Sequence, residues 1–130
     1  MTNEEKVQHW VNMADYDIET ADGLMQIKRY LYVAFMCHQS VEKLLKAIFV
    51  KLTEETPPYT HNLKSLAEKT GVYDAMSEQQ KLFINKLNPL NIEARYQDYK
   101  NNLAKSLTSE VTQEILAETK EMLVWIKSKI

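Results

Sequence analysis

Only two glycines and three prolines are spread over 130 residues, and this scarcity limits what the chain can fold into more than any motif in it. A sheet domain turns about every 8–12 residues, and its turns draw on residues that reach positive φ or preset a bend. So few of them point to long helices joined by a handful of links. The hydrophobic share of 45% and the charged share of 26% are those of an ordinary globular chain, which argues against disorder. The length matches one core, so a single domain over residues 1–130 is expected.

Apolar periodicity places the helices. Thr2 and Glu5 have capping-box spacing, and Val7, Trp10, Val11, Ala14, Ile18, Ala21 and Met25 then recur at threes and fours, which predicts a helix over about residues 3–27. A second helix is predicted from Arg29 or Tyr30 to Thr53, with Leu31, Ala34, Phe35, Val41, Leu45, Ile48, Phe49 and Leu52 on its main stripe. Val33, Met36, Cys37, Leu44 and Ala47 widen that stripe until the helix reads as a spine packed on more than one side. Pro57 and Pro58 end it. Thr60 or Asn62 caps a short third helix that stops at Gly71. Ser77 and Gln80 open a fourth that runs to Leu87, and a polar, tyrosine-bearing connection spans Asn91–Asn102. A last helix starts near Thr108 or Ser109 on the stripe Val111, Ile115, Thr119, Met122, Ile126, with Leu116, Leu123 and Trp125 beside it. The fold class is therefore all-α, a four- to five-helix bundle near up-and-down topology.

Charge narrows the function classes. Sixteen basic and eighteen acidic residues leave a net charge of -2, so there is no overall electrostatic footprint for nucleic acid or membrane. The apolar stretch from Tyr30 to Val50 is long enough to span a bilayer but is interrupted by His38, Gln39, Glu42, Lys43 and Lys46; no membrane span is expected, since each central charge costs about 2.5–3.5 kcal/mol. The lone cysteine, Cys37, cannot form an internal disulfide and reads as a packed small hydrophobe, and a cytoplasmic location is expected. His9, His38 and His61 lack partners at metal-ligand spacing, and no phosphate-cradling glycine loop is present; neither a metal nor a cofactor is expected.

Two places can carry chemistry. His38, Glu42 and Lys46 follow one another at spacings of four in the second helix, a line on its surface that forms either exposed ion pairs or a semi-buried polar cluster. A buried Glu42 requires a cationic or donor partner, and Arg95 is the foremost candidate, in the tyrosine-rich run Arg95-Tyr96-Gln97-Asp98-Tyr99. An arginine there equally suits a phosphate.

Taken together, Trp10 and Ala14, the run Tyr30 to Ala47 with its core Gln39-Ser40-Val41-Glu42-Lys43-Leu44-Leu45-Lys46-Ala47, Thr60-His61-Asn62-Leu63 and Ala94-Arg95-Tyr96 resemble the HEPN family over nearly the whole chain. The resemblance implies a helical bundle, a homodimer, and membership of a group that includes RNA-cleaving toxins and partners of minimal nucleotidyltransferases. Its ribonuclease members carry a histidine after four to six residues that follow an arginine. After Arg95 those positions hold Lys100, Asn101 and Asn102, and no histidine follows His61. Arginine can stabilise a charged phosphorus centre but does not move the 2′-hydroxyl proton, so no catalytic residue is assigned. The expectation is a non-catalytic or partner-dependent module that binds a nucleotide, an RNA or a nucleotidyltransferase partner through Arg95, Tyr96, Tyr99, Lys43 and Lys46. His38, Glu42 and His61 form its polar cluster. The alternative is an atypical metal-independent ribonuclease toxin of a toxin–antitoxin pair; a scaffold that only dimerises through an apolar helix face is the third reading.

Overall fold

The computed structural model describes residues 1–93 and 104–130. Among them there are helices and no strand: α1 (Asn3–Gln26), α2 (Tyr30–Thr53), α3 (Leu63–Lys69), α4 (Val72–Ala75), α5 (Glu78–Leu87), α6 (Leu90–Glu93) and α7 (Ser109–Lys127). The caps are those the sequence dictates. Thr2 Oγ1 accepts from the Glu5 amide at 3.1 Å while Glu5 Oε1 accepts from the Thr2 amide at 3.2 Å, and Ser77 with Gln80 repeats the arrangement at α5. Asn62 caps α3 and Thr108 caps α7.

α2 is the spine. Val33, Ala34, Cys37, Val41, Leu44, Leu45 and Ala47 are fully buried, and they point in most directions around the axis because α1 packs along one side, α7 along another, and α3, α5 and α6 against the rest. Leu52, placed on the main stripe by periodicity, is 62% exposed, whereas Val50 in the same last turn is 2% exposed. α1 approaches α2 closely at Ala14 and Ala21, both without exposed surface, as small side chains permit. None of the described helices is long and apolar enough to cross a membrane.

Two short elements depart from the sequence reading. Gly71, at φ +74, ends α3 as expected, and the chain then makes one further helical turn, α4. The connection expected to begin at Asn91 instead begins with the helical turn α6, in which Asn91 is 2% exposed. Its Oδ1 accepts from Gln39 Nε2 of α2 at 3.0 Å, so a residue type that reads as loop is here a tether between helices.

The α1–α2 link carries a cost. The Arg29 amide bonds to the Leu24 carbonyl at 2.9 Å and the Lys28 amide to the Met25 carbonyl at 3.1 Å, the paired bonds of a Schellman motif, whose left-handed position usually holds glycine. Here it holds Lys28 at φ 63. A non-glycine residue loses about 1–2 kcal/mol in that conformation, so Lys28→Gly is expected to raise stability by about 1 kcal/mol, read as a higher urea midpoint at unchanged slope. An unchanged or lower midpoint contradicts this.

Candidate functional site

The polar line on α2 is buried. His38 has no exposed surface, Glu42 is 3% exposed and Lys46 7%, which settles the choice between exposed ion pairs and an internal cluster. A carboxylate so placed needs partners, and the described residues supply two. Lys46 Nζ donates to Glu42 Oε2 at 2.9 Å, one helical turn on. His61 Nδ1 lies 2.8 Å from Glu42 Oε1. Lys46 also rests 5.7 Å from the ring centroid of Trp10 on α1, so its charge is held between a carboxylate and an aromatic face.

How His61 reaches Glu42 follows from chain geometry. From residue 42 to the end of α2 the helix rises about 18 Å. Residues 55–61 must cover the same distance in the opposite direction, and seven residues of extended, proline-rich chain span about 22 Å at about 3.1 Å each. Pro57 and Pro58 hold that segment out of the helical region, and Pro57 is buried against the core. At its far end the Asn62 amide bonds to Thr60 Oγ1 at 3.1 Å, Asn62 Oδ1 accepts from the Ser65 amide at 3.0 Å and from Asn88 Nδ2 at 3.1 Å, and Asn88 Oδ1 accepts from the Leu63 amide at 2.8 Å. The loop bearing His61 is thus fixed to α2 by Glu42 and to the end of α5 by Asn88.

Behind His61 lies His38, its Nδ1 3.8 Å from Glu42 Oε1. Neither of its ring nitrogens has a hydrogen-bond partner among the described residues. Burial drives its pKa down to about 4, against smaller opposing pulls from the Glu42 carboxylate and from the His61 backbone, which comes near the ring without reaching hydrogen-bond geometry. His38 is therefore neutral at physiological pH. Cys37, its neighbour, is also without exposed surface; burial pushes its thiol up to about 11, which makes it an inert packing residue.

In front of His61 opens a cleft of about 590 Å³ whose walls include Tyr59, His61, Asn62, Asn85, Asn88 and Asn91. This volume lies within the roughly 300–1,000 Å³ of small-ligand sites. Tyr59 is fully exposed at its rim, and the His61 side chain is 56% exposed, so one edge of the imidazole is tied inside while the other faces solvent. Among the residues expected from sequence, His38, Glu42, Lys46 and His61 come together here. Lys43 does not. One position along from Glu42, it points about 100° away and forms an ion pair with the largely buried Asp17 of α1. Arg95, Tyr96 and Tyr99 lie outside the described residues. The amide wall of the cleft is missed by sequence reasoning, although Asn85, Asn88 and Asn91 recur at every third residue, a spacing that gathers side chains on one side of a helix.

The HEPN domain family matches residues 7–129. This chain belongs to that family. Its fold is similar to that of TT1696 from Thermus thermophilus, with a TM-score of 0.80 and 19% identity over 96% of this chain and 98% of that one. At this identity the likeness shows that the HEPN fold is shared, with the bundle expected from the sequence. A comparison with curated proteins finds no match.

The His38 environment sets a pH dependence. Unfolded, an imidazole binds its proton near pH 6.5; folded, His38 does so only near pH 4. The unfolded chain therefore binds more protons below about pH 6.5, and this residue's contribution to stability falls by up to about 3 kcal/mol as pH drops from 6.5 to 4. His38→Leu removes two buried, unpaired nitrogens along with the titration. It is expected to be at least as stable as the wild type at pH 7 and to gain on it steadily between pH 6.5 and 4 in urea midpoints. Parallel pH profiles for the two proteins contradict this.

Proposed function

We propose that this HEPN protein is a cytoplasmic, homodimeric module that binds a nucleotide or a single-stranded RNA in the cleft beside Glu42 and His61. The observation that carries the reading is the cleft's lining. Amide side chains both donate and accept hydrogen bonds, as base edges require, and an exposed tyrosine at the rim offers a surface on which a base can stack. Asn91 lies on this wall, and Arg95, Tyr96 and Tyr99 follow it within eight residues of sequence. Within this reading Arg95 meets a phosphate and the two tyrosines add stacking. Lys43 and Lys46, which are occupied by Asp17 and Glu42, hold the scaffold. A minimal nucleotidyltransferase is the protein partner that the family resemblance suggests.

A second reading is favoured by one observation. An imidazole held at one nitrogen by a buried carboxylate, with its other nitrogen toward an open cleft, is the arrangement of a general base. His61 in that role, with Arg95 stabilising the phosphorus centre, makes the protein an atypical metal-independent ribonuclease.

Labelled RNA incubated with the wild type and with Arg95→Ala in chelator-containing buffer separates these. Retention of intact RNA, weakened about tenfold or more by Arg95→Ala and steeply by salt, is the expected result. Arg95-dependent cleavage replaces it with the second reading, and RNA that is neither retained nor cut points to a small nucleotide or a protein partner.

A further inference from the structure

The Glu42 contact determines which hydrogen bond His61 can make in the cleft. Glu42 is paired with Lys46, and a carboxylate accepts hydrogen bonds without donating any. His61 Nδ1, 2.8 Å from Glu42 Oε1, therefore carries the ring proton, and in the neutral ring Nε2 is left as a lone-pair acceptor. Nε2 has no hydrogen-bond partner among the described residues. Asn85, on the same cleft, is exposed, and its amide also has no partner among the described residues. The other asparagines are committed at one or more atoms: Asn62 and Asn88 to each other and to the start of α3, Asn91 to Gln39.

We infer that the cleft selects nucleobases carrying an exocyclic amine beside an unprotonated ring nitrogen, adenine or cytosine, over their keto counterparts. This rests on the nucleotide-binding reading above. An exocyclic amine has two N–H groups. One reaches His61 Nε2 and the other Asn85 Oδ1, while Asn85 Nδ2 donates to the adjoining ring nitrogen, the paired contact by which an amide reads an amino base. Hypoxanthine and uracil present a carbonyl oxygen where the amine stood and a ring N–H beside it. An acceptor then faces the His61 lone pair, while the exposed, unpartnered Asn85 amide can flip to pair with either kind of base, so the discrimination rests on His61. No group in a locked imidazole can turn to relieve this mismatch, which is why a fixed tautomer discriminates where a surface histidine would not.

Lys46 makes the lock reversible by substitution. In Glu42→Gln, the donor-only Lys46 Nζ holds the amide oxygen, which turns the amide NH₂ toward His61. Nδ1 must then accept, and the proton moves to Nε2, which becomes a donor. That variant is expected to prefer the carbonyl of a keto base.

The test is calorimetric titration of AMP, IMP, CMP and UMP at about pH 8 into the wild type, Glu42→Gln, Asn85→Ala and Arg95→Ala. For the wild type, AMP is expected to bind about tenfold or more tighter than IMP, and CMP than UMP. Asn85→Ala, an exposed position, is expected to weaken AMP and IMP together with their ratio kept, and Glu42→Gln, once shown to be folded by circular dichroism, to reverse the AMP–IMP order. Equal affinities for AMP and IMP, both lost in Arg95→Ala, leave nucleotide binding standing and overturn the base selection. No binding of any of the four overturns both. Should Glu42→Gln fail to fold, the wild-type AMP–IMP and CMP–UMP ratios decide alone.

Discussion

A carboxylate buried on the central helix is the constraint on which the site depends. Taking Glu42 out of water costs several kcal/mol, and the surrounding elements are arranged to offset it: Lys46 from the next turn, Trp10 behind Lys46, and His61 from the loop that returns along α2. The offset has a structural consequence larger than the pair itself. Because Glu42 sits at mid-helix, deep in the bundle at 3% exposure, the chain after α2 must run back in extended form to bring His61 to it. The prolines at 57 and 58 make that path the natural one. Asn62 and Asn88 then tie the returned loop to α3 and α5. The cleft in front of His61 is the space left between these tethers.

The polar residues of the α2 motif thus have separate duties. Gln39 holds α6, Glu42 holds the His61 loop, and Lys43 holds α1 through Asp17. His38 has no such duty: it is a neutral imidazole with both nitrogens unpaired among the described residues. Burial has a cost here that the structure meets through packing alone, since the flanking positions 37 and 41 are fully buried.

Much of the architecture was legible because it rests on local rules. Glycine scarcity, the 3.6-residue periodicity of α1, α2 and α7, and the Thr2–Glu5 and Ser77–Gln80 boxes each act within a few residues of sequence. The site was only partly legible, for a physical reason. The spacing of His38, Glu42 and Lys46 marks a line on a helix, but whether that line faces water depends on which elements cover it, and no local rule supplies that. Arg95 was the partner expected for a buried Glu42; among the described residues the partners are Lys46 and His61, and Arg95 lies outside them. Asn91 was read as the start of a polar connection to Asn102, and its bond to Gln39 across 52 residues of sequence is a tertiary fact with no local trace. The HEPN resemblance added what periodicity could not, by grouping the α2 motif with Thr60-His61 and Ala94-Arg95-Tyr96 as parts of one fold.

The central claim is that Glu42 fixes His61 as an Nδ1-protonated imidazole whose other nitrogen is open to the cleft. Long-range proton–nitrogen correlation spectra of the uniformly ¹⁵N-labelled protein, with His61 assigned by comparison with His61→Gln, read this directly. A protonated Nδ1 and an unprotonated Nε2 at about pH 8 are the predicted result. Resonances averaged between the two tautomers, or a proton resident on Nε2, would contradict the account, because either would mean that the buried carboxylate does not hold the ring.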